Sequence, residues 1–315
     1  MNAASGGDQR PPRIFELGVT DRGLRLDQFV ARALEVGRKR AQALCDAGEV
    51  RVDGRVGKKG QTLGDATLVE IRDLADESPE AEPELALDVR LERPDLVVVS
   101  KPAGMPTVPL APGERGTLAA ALLARYPEMR GIGYREREPG VIHRLDTLTS
   151  GLVVAARTER AFSALSEGLK SGAITKRYLA VVASAGFADS GTIEEWLSTD
   201  ASGRVRIAGI GESYAKHTLT KYRVVERGAE LLLVELDVGA AFRHQIRVHL
   251  ASLGYPIVGD ASYGGAPDPR LPGRHALHAS YVAWAGDAGA SFEVSDEAPP
   301  EFRALLAGGR DSSES

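Results

Sequence analysis

Two short apolar runs, Val141-Ile142 and Leu152 to Ala156, bracket a polar stretch that holds His143, Arg144, Asp146, Thr149 and Ser150. Runs of this kind read as buried strands. The stretch between them is then a turn held at both ends, so its side chains are aimed without a large ordering cost. Thr149-Ser150-Gly151 bends the chain and offers hydroxyl and backbone donors. Asp146 is the only carboxylate in the turn, and Arg144 stands close enough in sequence to bias its charge. Chemistry alone leaves two readings open. Either Arg144 and Asp146 form a surface ion pair that tidies a tight turn, or Asp146 is an aimed carboxylate. The first is the commoner fate of loop Asp and Arg residues.

The chain has 315 residues, enough for two domains and a substantial core. Hydrophobic residues make up 43%, ordinary for a globular protein. No apolar run approaches the ~18 residues of a membrane span. Met1 to Arg13 lacks the apolar core of a signal peptide, so the expected location is the cytoplasm. Cys45 is the only cysteine, which excludes an internal disulfide and a thiolate metal cluster. It reads as a small buried residue on a helix. The net charge is −5, but the acidity is concentrated: Asp73 to Glu84 carries six acids and no base, while Arg13 to Arg72 carries 12 bases against 9 acids. Binding responds to local charge, so an acidic total leaves room for a basic patch and a nucleic-acid partner.

Residues 1–12 read as disordered. A first domain is expected over residues 14–72. Leu26, Phe29, Val30, Ala33 and Leu34 recur at helical spacing. Gly37 breaks that helix, and a second runs from Arg38 to Ala47 with Gly48 as its stop. Val50-Arg51-Val52, Asp53-Gly54 and Arg55-Val56 spell a hairpin, because Asp-Gly suits its tight turn. Leu68 to Ile71 reads as a closing strand.

Arg25-Leu26-Asp27-Gln28-Phe29 and Gly48-Glu49-Val50-Arg51-Val52-Asp53-Gly54 enclose the basic second helix. Together they are similar to the S4-type RNA-binding domain first described in a ribosomal small-subunit protein. That resemblance implies phosphate contacts by Arg38, Lys39, Arg40 and Arg51, and binding that weakens with salt. Three cations at a helix N-terminus oppose the helix dipole, an arrangement that an anion relieves. Residues 73–84, with Ser78, Pro79 and Pro83 among their acids, read as an extended, mobile linker.

A larger domain is expected over residues 85–305. Leu96 to Val99, Lys176 to Val182, Lys221 to Val225 and Leu231 to Val238 read as strands. Thr117 to Tyr126 reads as a helix, and Thr158 to Leu169 as an amphipathic helix capped by Thr158 and stopped by Gly172. Residues 186–215 read as an insertion of hairpins or loops. Ile246, Leu250 and Leu253 give a last helix its buried face, with Arg243, His244 and Arg247 on its first turns. A helix N-terminus with two arginines favours a carboxylate or a phosphate. Metal is set aside. His244 and His249 are five apart and diverge on a helix, while His275 and His278 could share a helix face but have no acidic ligand close by.

His143-Arg144-Leu145-Asp146-Thr147-Leu148-Thr149-Ser150-Gly151 resembles the signature of the RluA-type pseudouridine synthases. Other pieces of the family pattern occur in the right order along the chain. Lys101-Pro102-Ala103-Gly104 resembles the family's first motif, although Thr107-Val108-Pro109 stands where a histidine is usual. Lys176-Arg177-Tyr178-Leu179-Ala180 is similar to the segment whose tyrosine stacks on the target base. Phe242 to Leu250, with Gly254 to Asp260 and Tyr263-Gly264, resembles the third motif, although Ala241-Phe242-Arg243 replaces the usual Thr-Gly-Arg.

The resemblance covers nearly the whole chain and implies an isomerase acting on uridines in RNA without a cofactor. It implies that Asp146 is the essential carboxylate, that Arg247 pairs with it and that Tyr178 stacks on the base, at roughly 1–3 kcal/mol per base. Arg144 would fill the space of the flipped nucleotide, and Ile246 would close the pocket. His143, Lys101, Thr149 and Arg243 are further candidate substrate contacts. The implied fold is α+β: a mixed, largely antiparallel sheet with flanking helices and a central cleft. Short strands among a few helices, without regular βαβ alternation, agree with it. The expected partner is RNA, large-subunit ribosomal RNA ahead of transfer RNA, and the expected state is a monomer. Two other classes stay in view. An RNA-binding or assembly protein without turnover would not need Asp146. A glycosidase releasing free base needs a second carboxylate about 5 Å from the first, and the only acid near the turn is Glu138, read as turned outward.

Overall fold

Two units emerge from the contacts within the chain, one comprising residues up to Ser78 with Arg130–Pro139, the other Pro79–Met129 with Gly140 onward. The structure, a computed structural model, describes residues 12–18, 21–34, 38–65, 68–72, 78–111, 113–212, 214–239, 241–286 and 290–308, without the side chain of Lys39. The helix break at Gly37 and residues 73–77 of the expected linker lie outside these. No described helix is long and apolar enough to cross a membrane.

The first unit holds β1 (Arg13–Glu16), α1 (Leu26–Leu34), α2 (Arg38–Asp46), β2 (Val50–Val52), β3 (Arg55–Val56) and β4 (Leu68–Ile71). Its antiparallel sheet runs β1-β4-β2-β3. Asp53 and Gly54 make the expected turn at φ 46° and 77°, the left-handed region that an Asn/Asp-Gly pair tolerates. The core gathers Leu26, Phe29, Leu44, Val50, Val69 and Ile71, with Cys45 buried among them. Asp27 is fully buried and accepts hydrogen bonds from Arg25, Arg38 and Gln42. Arg25 foremost holds its carboxyl well below the usual range. Arg38 therefore anchors the two helices through Asp27. Arg51 is exposed and donates to the Gly54 carbonyl, and Arg40 pairs with Glu136.

In the second unit follow β5 (Asp88–Glu92), β6 (Leu96–Lys101), α3 (Leu118–Arg125), β7 (Ser150–Ala156), α4 (Glu159–Ser171), β8 (Ile174–Ala183), β9 (Ser190–Thr199), β10 (Val205–Ile207), β11 (Lys216–Arg227), β12 (Leu231–Val238), α5 (Gln245–Ser252), β13 (Leu277–Trp284), β14 (Phe292–Ser295) and α6 (Pro300–Leu306). One sheet orders them β10-β9-β11-β12-β8-β13-β7-β6-β5, with β14 beside β13. Every pairing is antiparallel except β13 with β7. The fold is thus α+β with a mixed, largely antiparallel sheet. Thr158 caps α4 through the expected side-chain bond and Gly172 ends it in the left-handed region; Thr117, read as the first helical residue, caps α3 instead.

Four expectations change. Pro79 to Glu84 is not free linker, because Glu82 is buried, accepts the Gly116 N–H at 2.8 Å and pairs with Arg115. Val141 makes only a single bridge to Ala155 rather than a strand. Gly140, at φ 66°, precedes it and the polar turn follows at once, so no ladder can lengthen. Residues 186–215 hold an expected hairpin, β9 with β10, but it extends the main sheet rather than standing apart as an insertion. His278 lies on β13, so it shares no helix face with His275.

Gly151, at φ 109°, sits where β7 pairs with β13. A Cβ there would lie 2.3 Å from the Ala279 carbonyl oxygen and 2.6 Å from its nitrogen. Both neighbours are backbone and cannot swing aside. Gly151→Ala is expected to destabilise the protein by about 3 kcal/mol, the upper part of the overpacking range. Urea unfolding checks this, and a midpoint equal to wild type would contradict it.

Candidate active site

The turn that carries Asp146 is bound from several sides. The Thr107 hydroxyl donates to the Leu145 carbonyl at 2.8 Å and accepts the Leu145 N–H at 3.1 Å. Gly104 N–H donates to the Thr147 carbonyl at 2.8 Å, and Thr149 N–H to the Asp146 carbonyl at 3.0 Å. Lys101, fully buried, directs its ammonium at the carbonyls of Pro102, Met105 and Thr147. Burial pulls its pKa down to about 7, against the opposing charge of Asp146. Lys101 is thus a clamp on two loops, and its three donors are spent on backbone rather than offered to a substrate. Thr107, which stands in place of the usual histidine, has the same clamping part.

Asp146 faces Arg247 of α5. The Arg247 Nη1 donates to Asp146 Oδ2 at 2.8 Å. Its Nε and Nη2 fork onto Asp260 at 2.7 and 2.8 Å. One guanidinium thus binds two carboxylates. Burial opposes its charge, but Asp260 and then Asp146 outweigh burial and raise its pKa above the ordinary value. The two carboxylates differ in access: the Asp260 side chain is 1% exposed and that of Asp146 is 25% exposed. Tyr263 lies under Arg247, 5.0 Å from ring centroid to guanidinium carbon, an edge of the site that cation–π attraction helps to fix.

His244, the residue before α5, adopts φ 56°. Its Nε2 comes within 3.6 Å of Asp146 Oδ2, and its Nδ1 lies 2.9 Å from the Tyr263 hydroxyl. Burial lowers its pKa while Asp146 opposes the shift. Tyr178, on β8, is buried, and its phenol is pushed up by burial and then by the charge of Asp146. Ile246 is buried on α5 within the main core.

The remaining expected contacts divide. Arg144 is exposed on the turn. His143 turns its ring inward, where Nε2 accepts the Val154 N–H at 3.3 Å. Thr149 is buried and its hydroxyl bonds His275 Nε2 at 2.8 Å, so it serves the turn and is not open to a substrate. Ser150 beside it bonds His278 Nδ1 at 2.9 Å and accepts from Arg274 at 2.8 Å. Arg243 lies ahead of α5 rather than on it, is exposed, and donates to the Gly203 carbonyl. Glu138 is buried, not turned outward. The sequence reading missed Asp260, His244 and Tyr263 as members of the site. All three stood in the third-motif segment, but nothing in their spacing shows that they converge on Arg247.

Residues 95–252 match the family model described as RNA pseudouridylate synthase, and residues 24–65 match the S4 domain. The chain belongs to the RNA pseudouridylate synthase family. It is 37% identical over 277 residues to an uncharacterized RNA pseudouridine synthase of Chloroflexus aurantiacus, covering 86% of this chain and 84% of that protein. It is 34% identical over 246 residues to ribosomal large subunit pseudouridine synthase D of Xanthomonas campestris, covering 78% and 72%. Among solved structures, human RNA pseudouridylate synthase domain containing 1 superposes with a TM-score of 0.55 at 27% identity, covering 72% of this chain and 92% of that one. The protein is therefore an isomerase that acts on uridines in RNA, with an S4 domain at its N-terminal end.

In this family member, Asp260→Asn is expected to unsettle both the fold and the site. A buried guanidinium that loses a carboxylate partner costs about 3 kcal/mol, and Arg247 would be freed to turn away from Asp146. Thermal unfolding and single-turnover rate should both fall. An unchanged melting temperature would show that Asp260 does not hold Arg247.

Proposed function

We propose that Asp146 is the catalytic carboxylate and that the substrate is large-subunit ribosomal RNA. The observation that carries the first part is the unequal access of the two carboxylates on Arg247: Asp260 is sealed, whereas Asp146 reaches solvent. Asp146 thus has a free edge for the sugar while Arg247 fixes its orientation. The reaction breaks the C1′–N1 bond, and the electron pair leaves with the uracil. The base turns, and the C5=C6 pair forms the C1′–C5 bond. C5 then gives up its proton and N1 takes one, so atoms and charge balance. Asp146 serves either as the nucleophile at the sugar or as the base that takes a sugar proton. Tyr178, whose phenol feels the charge of Asp146, holds the base by stacking in this reading. A hydrolytic reading needs a second free carboxylate; Asp260 is committed to Arg247.

The ribosomal assignment is supported by the names of relatives in Xanthomonas campestris and Xylella fastidiosa, each a ribosomal large subunit pseudouridine synthase D. The S4 match adds an RNA-binding unit, and we assign phosphate contacts to the exposed Arg38 and Arg51 and to Lys39 within it, whereas Arg40 is engaged by Glu136 and is a weaker candidate. The test maps pseudouridine in total RNA by carbodiimide-dependent primer-extension stops. Cells lacking the gene are rescued with wild type or with Asp146→Ala. Loss of sites in large-subunit RNA, restored only by wild type, is the expected result. Loss confined to transfer RNA would overturn the substrate, and rescue by Asp146→Ala would overturn the role of Asp146.

A further inference from the structure

On the buried face of β8, two residues before Tyr178, stands a lysine that no described residue neutralises. Lys176 is 4% exposed. Side chains two apart on a strand share a face, about 7 Å apart, and the alternating burial of β8 places Lys176 and Tyr178 together. Among the described residues no carboxylate pairs with Lys176 and no acceptor takes its hydrogen bonds. The other cations of this region are committed: Arg247 to Asp146 and Asp260, Lys101 to three carbonyls.

His143 is near enough for Lys176 to act on its charge. Its Nε2 accepts a hydrogen bond from Val154 N–H, so in the neutral ring the proton sits on Nδ1. That Nδ1 has no acceptor. Two donor groups therefore sit within electrostatic range of each other, and neither has an acceptor. With no protein partner among the described residues, the ammonium depends on solvent or on an incoming anion for its charge, because a fully desolvated unpaired charge is costly. An anion that arrives with the substrate would supply both the charge and the acceptor.

We propose that Lys176 binds the negative charge of the target nucleotide beside the base held by Tyr178. This rests on the functional reading above. Two groups of that nucleotide have the right chemistry. One is the flanking phosphodiester. The other is the detached uracil, which carries the electron pair of the broken C1′–N1 bond spread over O2 and O4. An ammonium in a water-poor site stabilises such charge without reorganising at the moment of reaction. Burial lowers the Lys176 pKa to about 8, which leaves the ammonium the main form at neutral pH.

The experiment compares wild type with Lys176→Met and Lys176→Arg. Substrate is total RNA from cells lacking the gene, scored by carbodiimide stops, and melting is followed without RNA. Lys176→Met should melt at a higher temperature than wild type, because an uncompensated buried charge is gone, while its modification rate falls at least tenfold. Lys176→Arg should recover part of the rate. A rate restored by more RNA or lower salt assigns the contact to the phosphodiester, whose loss weakens binding and its salt dependence. A rate that stays low at saturating RNA assigns it to the uracil. A Lys176→Met protein that melts below wild type, or that modifies RNA within twofold of wild type, overturns the proposal. Failure of the functional reading shows differently: wild type itself then leaves no stops, whatever happens to melting.

Discussion

Asp146→Asn is expected to leave a folded protein with a single-turnover rate lower by roughly 10⁴-fold, the upper end of what one positioned acid–base group contributes. The fold should survive because Arg247 keeps its fork on Asp260, so the buried guanidinium retains a counter-charge. The lost Asp146 contact comes from a side chain that is one-quarter exposed, and an ion pair of that kind contributes about 1 kcal/mol or less. The turn itself is clamped through Leu145, Thr147 and Thr149, none of which depends on the Asp146 carboxylate. Stability and catalysis therefore separate at this position, which a residue that merely tidied a turn could not achieve. The check is rapid-quench formation of pseudouridine in RNA alongside a melting curve. A rate within tenfold of wild type would return Asp146 to the role of a surface ion-pair member.

Local signals in the sequence reached some elements and missed others for identifiable reasons. Thr158 and Gly172 mark helix ends because capping is a short-range hydrogen-bond problem, and the structure places both as read, whereas Thr117, read as the first residue of its helix, is its N-cap. The Asp53-Gly54 turn is legible for the same reason. The strand β11 runs longer than its apolar residues suggest. Thr218 and Thr220 point inward there, to bond His249 and Gln245 of α5. A polar residue satisfied by a distant partner looks exposed to any pattern based on hydropathy. The site shows the same limit. Asp146 and Arg247 were legible from the resemblance, but Asp260 and His244 acquire their meaning only when α5 and the segment after it converge on one guanidinium. Lys101 was read as a substrate contact because nothing in the sequence tells that three carbonyls will surround its ammonium.

Acid is expected to unfold the protein well before its carboxylates are protonated. Three buried histidines and the half-buried His143 have pKa values depressed chiefly by desolvation: His249, His275 and His278 to about 4 and His143 to about 3. Each titrates near 6.5 once the chain is unfolded. Between those limits the unfolded state binds protons that the folded state refuses, so stability is full above pH 6.5 and drains as pH falls toward 4. Each group contributes up to about 1.4 kcal/mol per pH unit in that window. Four together are comparable with the whole stability of an ordinary domain, about 5–15 kcal/mol. The stability that Asp27 lends starts to drain only as pH falls below the ordinary carboxyl value of about 3.9, so it acts later. The pH slope of urea unfolding near pH 5.5 should report uptake of about three to four protons. His278→Asn keeps an acceptor for Ser150 and removes the titrating ring, so it should lower that uptake by about one. Because His275 bonds Thr149 and His278 bonds Ser150, protonation strikes the end of the turn that aims Asp146. Activity should therefore fall with stability over the same range. Uptake of fewer than one proton would mean that the rings stay charged in the folded protein.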